Sequence, residues 1–361
     1  MKTLLLTVKP TGSLESGADS DAIDRAAEIL RSGGLVALPT ETVYGLGANA
    51  LDRAAVERIF AAKQRPAWDP VIVHIADAAM LAVLVCEIPD AAGSRVDKLI
   101  DKFWPGPLTL LLPRSSAVPN AVTAGRPLVG VRMPAHPVAL ELIRRAGVPV
   151  AAPSANRFGH ISPTTAAHVL QDLDGRIDAV LDAGPTEHGL ESTVLDPCQS
   201  PMVIYRPGAV TLEQIRAVAG PVEFYRESVN LSLTPTESLP SPGVGLRHYA
   251  PRARLILVES STEDMADRLQ ETSLEFKQDR IGIMLPADVP AQGFSGNFQI
   301  YPWGAWSKPN EMAHDLYFGL RALDELGCTV ILCPLPPAEG IGAALRDRLR
   351  KAATIGPGRT L

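Results

Sequence analysis

The sequence predicts an α/β protein with two domains joined by a linker. Short apolar segments rich in β-branched residues alternate with segments in which apolar residues recur at helical spacing, a pattern typical of sheets covered by helices. The alternation stops over residues 226–248 and starts again at Arg254. A chain of 361 residues is long for one domain and sufficient for two. The expected division is residues 1–225, a linker over 226–252, and residues 253–361.

The first predicted element is a helix that Ser20 or Asp19 caps and that the pair Gly33-Gly34 ends. A buried strand over 35–39 and a helix ending near Lys63 follow it. Further strands are predicted at 71–75, 108–113, 129–134 and 148–153, and in three short apolar segments between 177 and 208. Helices are predicted within 77–103 and over 136–146, 164–172 and 211–219. This order indicates a mixed sheet rather than a purely parallel one.

The segment over 226–248 has no sustained apolar period and contains several Pro and Gly residues, which is typical of a linker. Beyond it, the strand-like segments RLILVE, RIGIML, FQIYPW and VILCPLP alternate with predicted helices over 261–272, 309–327 and 340–352. Regular alternation of this kind predicts a small Rossmann-like domain with a sheet between two layers of helices.

Composition and charge exclude several classes of protein. Hydrophobic residues make up 46% of the chain and charged residues 20%, so a substantial core is expected. The net charge of −6 argues against a protein whose whole surface binds nucleic acid, but it leaves room for a small basic cleft. The four cysteines form no CxxC pair, and the longest apolar stretch, 78–86, is too short to span a bilayer. We therefore expect a cytoplasmic protein without a membrane partner.

Common catalytic motifs are missing from the sequence: it contains no Walker A loop, no HExxH and no G-x-S-x-G. The segment GLGANA (45–50) fits the dinucleotide pattern G-x-G-x-x-A. The acidic residue expected about 20 positions later would be Asp69, which lies in a turn-like segment. This favours a simple strand-to-helix turn that uses the conformational freedom of glycine.

Lys63 and Arg65 lie two residues apart at the end of a predicted helix and precede Pro66. In an extended chain both side chains would point the same way, and two cations directed at one place favour a bound anion such as phosphate. A cationic helix end that complements the helix dipole is the simpler alternative. The spacing alone leaves both interpretations open.

Other polar residues stand at the ends of apolar strands, where α/β proteins gather their binding sites. His74 is either a core histidine bonded to a carbonyl or a ligand-facing one, and Arg132 either lies at an exposed strand end or holds a carboxylate. Small polar side chains and a further cation stand at other strand ends: Ser154, Asn156, Ser192 and Arg206. Together they describe a cleft with several cations and no evident acid–base pair. Such a cleft suits an anionic substrate and catalysis by positioning.

Several segments, read in order, resemble the YrdC-type threonylcarbamoyl-AMP synthases. They are PTETVYGLG (39–47), KQRP (63–66), VIVHI (71–75), WPGPLTLLL (104–112), VGVRMPAHP (129–137), APSAN (152–156) and ESTV with RPG (191–208). SPG followed by RHYAP (241–251) is similar to the long two-domain form of the family. The resemblance implies a YrdC-like twisted mixed sheet with helices around a concave cleft, plus a smaller C-terminal Rossmann-like α/β domain. Members of this family often have Gly at the position of Gln64 and Asn at that of Asp69.

The activity that the resemblance implies is that of a nucleotidyltransferase. L-Threonine, bicarbonate or CO₂, and ATP would form threonylcarbamoyl-AMP, with release of pyrophosphate and with Mg²⁺ accompanying ATP. A separate transferase would then move the threonylcarbamoyl group onto an adenosine beside the tRNA anticodon, so the chain would meet tRNA only indirectly.

The resemblance also implies roles for individual residues. Lys63 and Arg65 would act in catalysis by contacting the triphosphate. The implied ATP side further contains Asp69, Asn156, Ser162, Thr164 and Arg206, and Tyr249 of the linker would close over ATP as a lid that excludes water. The choice between Ser162 and Thr164 as the nearer nucleotide ligand stays open. The implied threonine side contains Thr42, His74, Arg132, Ser154 and Ser192, with Arg132 facing the carboxylate of threonine.

Two other functions compete with this one. An RNA-binding module with a basic cleft would use the cation cluster and the stripe Arg346, Arg350 and Lys351, although a solvated helix face explains that stripe more simply. A carbamoyl-transfer enzyme that uses carbamoyl phosphate is the third possibility.

Overall fold

The computed structural model describes residues 2–9, 14, 16–226, 241, 249–290, 296 and 298–353. The chain divides into two compact units. The N-terminal unit takes residues 1–158, 162–187 and 191–245, and the C-terminal unit takes 159–161, 188–190 and 246–361. Most of the expected linker over 226–252 lies outside the described residues.

A mixed sheet forms the centre of the N-terminal unit. Its described strands are β1 (Leu4–Thr7), β2 (Val36–Leu38), β3 (Gly45–Asn49), β4 (Ile72–His74), β5 (Leu108–Pro113), β6 (Leu128–Arg132), β7 (Val150–Ala151), β8 (Ala179–Asp182), β9 (Thr193–Asp196), β10 (Met202–Arg206) and β11 (Val222–Phe224). Their order across the sheet is β1-β8-β2-β3-β7-β4-β6-β5-β9-β10-β11. Parallel pairs such as β4 with β6 alternate with antiparallel pairs such as β5 with β6, which confirms the predicted mixed sheet.

Helices cover both faces of this sheet. They are α1 (Ala18–Arg31), α2 (Arg53–Lys63), α3 (Ala78–Leu84), α4 (Asp90–Phe103), α5 (Asn120–Thr123), α6 (Pro137–Ala146), α7 (Ala166–Leu173) and α8 (Leu212–Ala219). Val36 and Leu38 of β2 pack into one buried apolar cluster, with α1 and α6, whereas Leu35 and Ala37 pack into another, with α2 and α4. A strand whose successive residues alternate between two cores is buried on both faces, as its continuous apolar run predicts.

The predicted cap of α1 is wrong. The helix begins at Ala18 after Gly17, and no side chain caps it, so Ser20 and Asp19 lie inside its first turn. The Asp19 carboxylate accepts instead from the backbone N–H of Lys9, at 3.2 Å. An acidic side chain in the first turn still complements the positive end of the helix dipole.

The predicted turn over GLGANA is also wrong, because Gly45–Asn49 is the buried strand β3, antiparallel to β2. The segment therefore lacks the strand–turn–helix form of a dinucleotide fingerprint. A Cβ added at Gly47 would lie 2.9 Å from the side chains of both Leu38 and Val150. Glycine is needed here for close packing inside the sheet rather than for a turn.

The C-terminal unit has the predicted parallel α/β form. Its described strands are β12 (Arg254–Val258), β13 (Ile281–Leu285), β14 (Gln299–Pro302) and β15 (Val330–Pro334), in the order β12-β15-β13-β14 with every pair parallel. Its helices are α9 (Met265–Ser273), α10 (Pro309–Glu325) and α11 (Gly342–Ala353). Strand and helix side chains such as Leu269, Ile283 and Leu332 form its buried core. Across the described ranges of both units, no helix is long and apolar enough to cross a bilayer.

Candidate active site

The end of α2 sets the geometry of the Lys63–Arg65 pair. The Asp52 carboxylate caps the start of this helix, and Lys63 is its last residue. Gln64 then adopts a left-handed conformation with φ of 54°, so the chain turns instead of continuing as an extended segment. The extended chain that one of the two interpretations of the spacing assumed is therefore not present here. Left-handed φ favours glycine, so a glycine at this position would fit the same turn.

Lys63 is buried, and its side chain bridges the turn that follows β7. Its Nζ donates to the carbonyls of Ser154 and Asn156, at 2.6 and 2.5 Å. Burial, and secondarily the charge of Arg65, lower the pKa of Lys63 well below its usual value. Because lysine carries three donors, these two bonds leave one N–H with no hydrogen-bond partner among the described residues.

Arg65 and Asp69 form an ion pair beside Lys63. Arg65 Nη2 lies 2.9 Å from Asp69 Oδ1 and donates to the Pro70 carbonyl at 2.7 Å. The Arg65 side chain is 7% exposed and that of Asp69 is fully buried. Burial raises the pKa of Asp69, while Arg65, Lys63 and Arg206 act in the opposite direction. The carboxylate thus lies among three cations and holds one of them in place.

Arg132 is buried at the end of β6 and holds a carboxylate, as one of the two sequence interpretations proposed. That carboxylate belongs to Glu41, whose Oε1 lies 3.1 Å from Arg132 Nη2. The same nitrogen donates to Thr42 Oγ1 at 3.0 Å. Sequence reasoning missed Glu41, although a buried arginine needs an acidic partner and Glu41 stands next to Thr42 in PTETVYG.

His74 lies beside Arg132, because the two are register partners on the parallel strands β4 and β6. Its side chain is buried. Burial, followed by the charge of Arg132, lowers the pKa of His74 well below its usual range. The imidazole is therefore uncharged near neutral pH.

Arg206 and Ser192 connect two further strands to the cluster. Arg206 donates to the Ser192 carbonyl from Nε and Nη2, at 3.1 and 2.9 Å, and from Nη2 to Ser192 Oγ at 3.1 Å. Ser192 Oγ also bonds Thr109 Oγ1 at 2.8 Å. Thr109 is a second residue that the sequence did not indicate, because it occupies one position of an apolar strand.

The two residues proposed as alternatives near the nucleotide have different partners. Ser162 Oγ donates to Glu191 Oε1 at 2.6 Å, and both side chains are buried. Thr164 Oγ1 lies 3.3 Å from Nδ1 of His168. Ser162 is therefore bonded to the acidic residue of the ESTV segment, while Thr164 lies just before α7 and contacts His168 within that helix.

Electrostatic coupling joins these parts into one cluster. Asp69 responds to the charge of Arg206, and Arg132 responds to Arg206 and Glu41. Four basic side chains lie in this cluster, with the carboxylates of Glu41 and Asp69 among them and the charge of Asp172 also acting on Lys63. Cations crowded together with limited exposure favour a bound anion, because they repel one another and lose hydration.

Comparison with known proteins places the chain in a family. Residues 28–208 match the Sua5, YciO and YrdC family model, described as "Telomere recombination". Residues 210–354 match the model described as the C-terminal domain of threonylcarbamoyl-AMP synthase. The chain belongs to the threonylcarbamoyl-AMP synthase family. This confirms the family that the sequence motifs indicated, and with it that the chain is an enzyme.

Individual members of the threonylcarbamoyl-AMP synthase family match nearly the whole chain. The synthase of Pyrococcus abyssi is 43% identical over 330 residues, which are 91% of this chain and 93% of that one. The synthase of Bacillus subtilis is 43% identical over 357 residues, 98% of both chains. The crystal structure of P. abyssi Sua5 complexed with L-threonine has a TM-score of 0.86 and 40% identity, and it covers 97% of this chain and 98% of that one.

Tyr249, the predicted lid residue, belongs to the C-terminal unit. Its backbone φ is 65° and its side chain is 5% exposed. The ring stacks on that of Tyr317 at 5.7 Å between centroids, and the Arg348 guanidinium lies 5.2 Å from its centre. These contacts hold Tyr249 on its own unit, and its place over ATP stays a prediction.

The residues present do not fit a resident metal ion. The described ranges contain no group of three or more His, Cys, Asp or Glu residues that could hold one. Asp69, which the resemblance placed on the ATP side, is paired with Arg65. Mg²⁺ characteristically binds through substrate phosphates and a few protein oxygens, and its presence with ATP stays a prediction.

Proposed function

We propose that the chain joins L-threonine, bicarbonate or CO₂, and ATP into L-threonylcarbamoyl-AMP and releases pyrophosphate. The observation that carries the proposal is the excess of cations with limited exposure at Lys63, Arg65, Arg132 and Arg206. A reaction between a carboxylate-bearing amino acid and a nucleoside triphosphate brings several negative charges to one place. Relatives of similar length are named threonylcarbamoyl-AMP synthase, and one of the related structures holds L-threonine.

The proposed chemistry proceeds by positioning. The amine of threonine adds to CO₂ and loses a proton, which gives a carbamate. A carbamate oxygen then attacks the α-phosphorus in line, the bond from that phosphorus to the bridging oxygen breaks, and pyrophosphate leaves with the bond electrons. The site needs to hold two anions together and to neutralise the leaving group, which fixed cations do effectively.

Lys63 and Arg65 neutralise the triphosphate in this proposal. The two carbonyls that bind Lys63 fix its ammonium group, and its third N–H serves a phosphate oxygen. A bound phosphate offsets the burial that lowers the pKa of Lys63, so binding ATP favours the charged lysine. Asp69 orients Arg65 through their ion pair.

Threonine occupies the side of the cluster formed by β4 and β6. Arg132 binds its carboxylate, and the hydroxyls of Thr42 and Ser192 contribute polar contacts near it. The uncharged imidazole of His74 adds no further positive charge beside Arg132, so it does not repel the substrate amine. The carbonyl of Ser154 fixes Lys63 between the two substrates.

Asn156, Arg206 and one of Ser162 or Thr164 complete the nucleotide side, and Tyr249 excludes water when it closes. The product is a mixed anhydride that water destroys, so a transferase must take it up promptly for tRNA modification. Use on tRNA places the activity in the cytoplasm.

The proposal is tested by measuring pyrophosphate release with each substrate omitted in turn. We expect release only when ATP, L-threonine and bicarbonate are all present. Lys63→Ala is expected to remove nearly all of it, and Lys98→Ala, at an exposed lysine of α4, serves as the matched control. Release that is independent of threonine, or full activity in Lys63→Ala, would contradict the proposal.

A further inference from the structure

Glu41 is a buried carboxylate that pairs with Arg132. Its side chain lies in the loop between β2 and β3 and is 2% exposed. Oε1 lies 3.1 Å from Arg132 Nη2, and Oε2 accepts from the backbone N–H of Ala135 at 3.1 Å. Glu41 thus contacts both the side chain of Arg132 and the backbone of Ala135, three residues further along the chain.

Two hydroxyl groups of the same loop also hold the Arg132 side chain in place. Thr42 Oγ1 accepts from Arg132 Nη2 and bonds Thr40 Oγ1 at 2.8 Å. Thr40 Oγ1 in turn lies 2.6 Å from the Val43 carbonyl, within the same loop. The position of one guanidinium nitrogen is therefore set by two neighbouring side chains, each fixed by the backbone.

The Nε atom of the Arg132 guanidinium group has a different environment from Nη2. Arg132 Nε is buried and has no hydrogen-bond partner in the described part of the chain. A buried charged donor without an acceptor is costly, and a ligand oxygen is the simplest group to satisfy it. Glu41 and Thr42 both contact Nη2 and neither contacts Nε, so the Nε–H has no acceptor among the described residues.

We propose that Glu41 is a positioning residue, which holds Arg132 so that Nε–H stays available to the carboxylate of the amino-acid substrate. The inference rests on the proposed function, because it assigns threonine to Arg132. Arg132 and Arg206 repel each other across the cluster. Without the Glu41 carboxylate, the guanidinium is expected to move away from Arg206 and to lose its alignment with the substrate.

Glu41→Gln tests the proposal, because glutamine keeps the shape and can still accept from the backbone N–H of Ala135 but removes the charge that pairs with Arg132. Calorimetric binding of L-threonine is compared with that of L-threoninamide, which lacks the carboxylate. We expect the affinity for L-threonine to fall at least tenfold, which corresponds to about 1.4 kcal/mol, and that for L-threoninamide to stay within about twofold. In turnover, the KM for threonine is expected to rise, with kcat at saturation and the KM for ATP nearly unchanged.

Glu141→Gln is the matched control. Glu141 also pairs with arginines, Arg144 at 2.5 Å and Arg145 at 2.7 Å, but it lies on α6, outside the cluster. It is expected to leave threonine binding unchanged. Glu41→Asp keeps the charge on a shorter side chain, and we expect an intermediate loss that is again confined to threonine. If Glu41→Gln does not fold, Glu41→Asp alone decides whether Glu41 positions Arg132 or serves only in folding.

A role in folding alone gives a different pattern. Equal weakening of L-threonine and L-threoninamide, an equal rise in both KM values, or unchanged threonine binding in Glu41→Gln overturns the proposal. Failure of the proposed function is distinguished by the wild-type protein: if it binds L-threonine but releases no pyrophosphate, the activity is wrong and the binding comparison still tests Glu41. A wild-type protein that does not bind L-threonine overturns both.

Discussion

Both units of the molecule bury arginine, but they do so in different ways. In the C-terminal unit, Arg348 is fully buried, pairs with Asp347 at 2.5 Å and lies over the ring of Tyr249. In the N-terminal unit, Arg132 pairs with the Glu41 carboxylate and lies near Arg206, a second buried arginine. Its Nε–H has no hydrogen-bond partner among the described residues. The first arrangement pairs its charge within the protein, whereas the second leaves a buried donor for which we propose a ligand.

We interpret the Arg348 charge as structural and the Arg132 charge as functional. A buried charge that is paired and packed against an aromatic ring contributes to folding. Cations that lie close together lower one another's affinity for protons and weaken the fold, unless an anion joins them. Clusters of this second kind are characteristic of binding sites. The comparison therefore predicts opposite balances of stability and activity for substitutions in the two units.

The largest expected effect is that of Lys63→Met on activity. Pyrophosphate release should fall by about 10²–10³-fold, because one fixed donor to the developing charge is lost. Thermal unfolding should show little change in Tm, because removing a buried ammonium group offsets the loss of its bonds to the carbonyls of Ser154 and Asn156. The comparison between the units fails if Lys63→Met loses stability but keeps its activity.

Arg348→Met should do the reverse. We expect the free energy of unfolding to fall by about 2–3 kcal/mol, because the variant loses both the ion pair and the contact with the Tyr249 ring. Urea unfolding of the full chain measures this. Arg350→Met, at a side chain that is 62% exposed, is the control and should change stability by less than about 0.5 kcal/mol. A loss no larger than that of the control would show that Arg348 is not structural.

A smaller effect is expected from His74 in acid. Its folded-state pKa lies well below the usual 6.5, so below about pH 6.5 the unfolded chain takes up a proton that the folded chain does not. Stability therefore falls as the pH falls from about 6.5 towards the folded pKa. His74→Gln should remove about 1 kcal/mol of the loss between about pH 6.5 and about pH 5.5. If the wild-type protein and His74→Gln had identical pH profiles for the free energy of unfolding, the pKa of His74 would not be lowered by folding.

The smallest effect is expected at the basic stripe of α11. Arg346 pairs with Glu259 at 3.0 Å and Lys351 with Asp347 at 2.8 Å, so much of its charge is already balanced. The double variant Arg346→Ala, Arg350→Ala should change neither pyrophosphate release nor tRNA affinity in a salt titration. A marked loss of tRNA affinity would instead favour the RNA-binding interpretation.

Much of the fold could be predicted from the sequence, because local patterns decide it. The helix ending at Lys63 and the strands at 35–39 and 330–336 show clear apolar patterns, and the structure has α2, β2 and β15 in these places. Strand β3 was missed because glycine disfavours strands, and only the packing of Leu38 and Val150 against Gly47 explains its presence. The short elements α5 and β11 contain too few residues to show a period.

The sequence indicated the residue types of the candidate cluster but not the contacts that join them. Cations within apolar strands stand out in a sequence, which is why Arg132 and Arg206 were identified. Glu41 was not, because the backbone N–H that it accepts from lies 94 residues away along the chain. The left-handed turn at Gln64 likewise depends on the surrounding packing, because an exposed glutamine by itself does not indicate positive φ.

One measurement tests the central claim most directly. The protein is incubated with ATP, L-threonine and isotopically labelled bicarbonate, and the adenylate product is analysed by mass spectrometry. The proposed reaction predicts a labelled carbon between the threonine nitrogen and the phosphate of AMP, formed in proportion to the pyrophosphate released. An adenylate that lacks the label, or pyrophosphate release without a threonine-containing adenylate, would contradict the claim that the cationic cluster joins these three substrates.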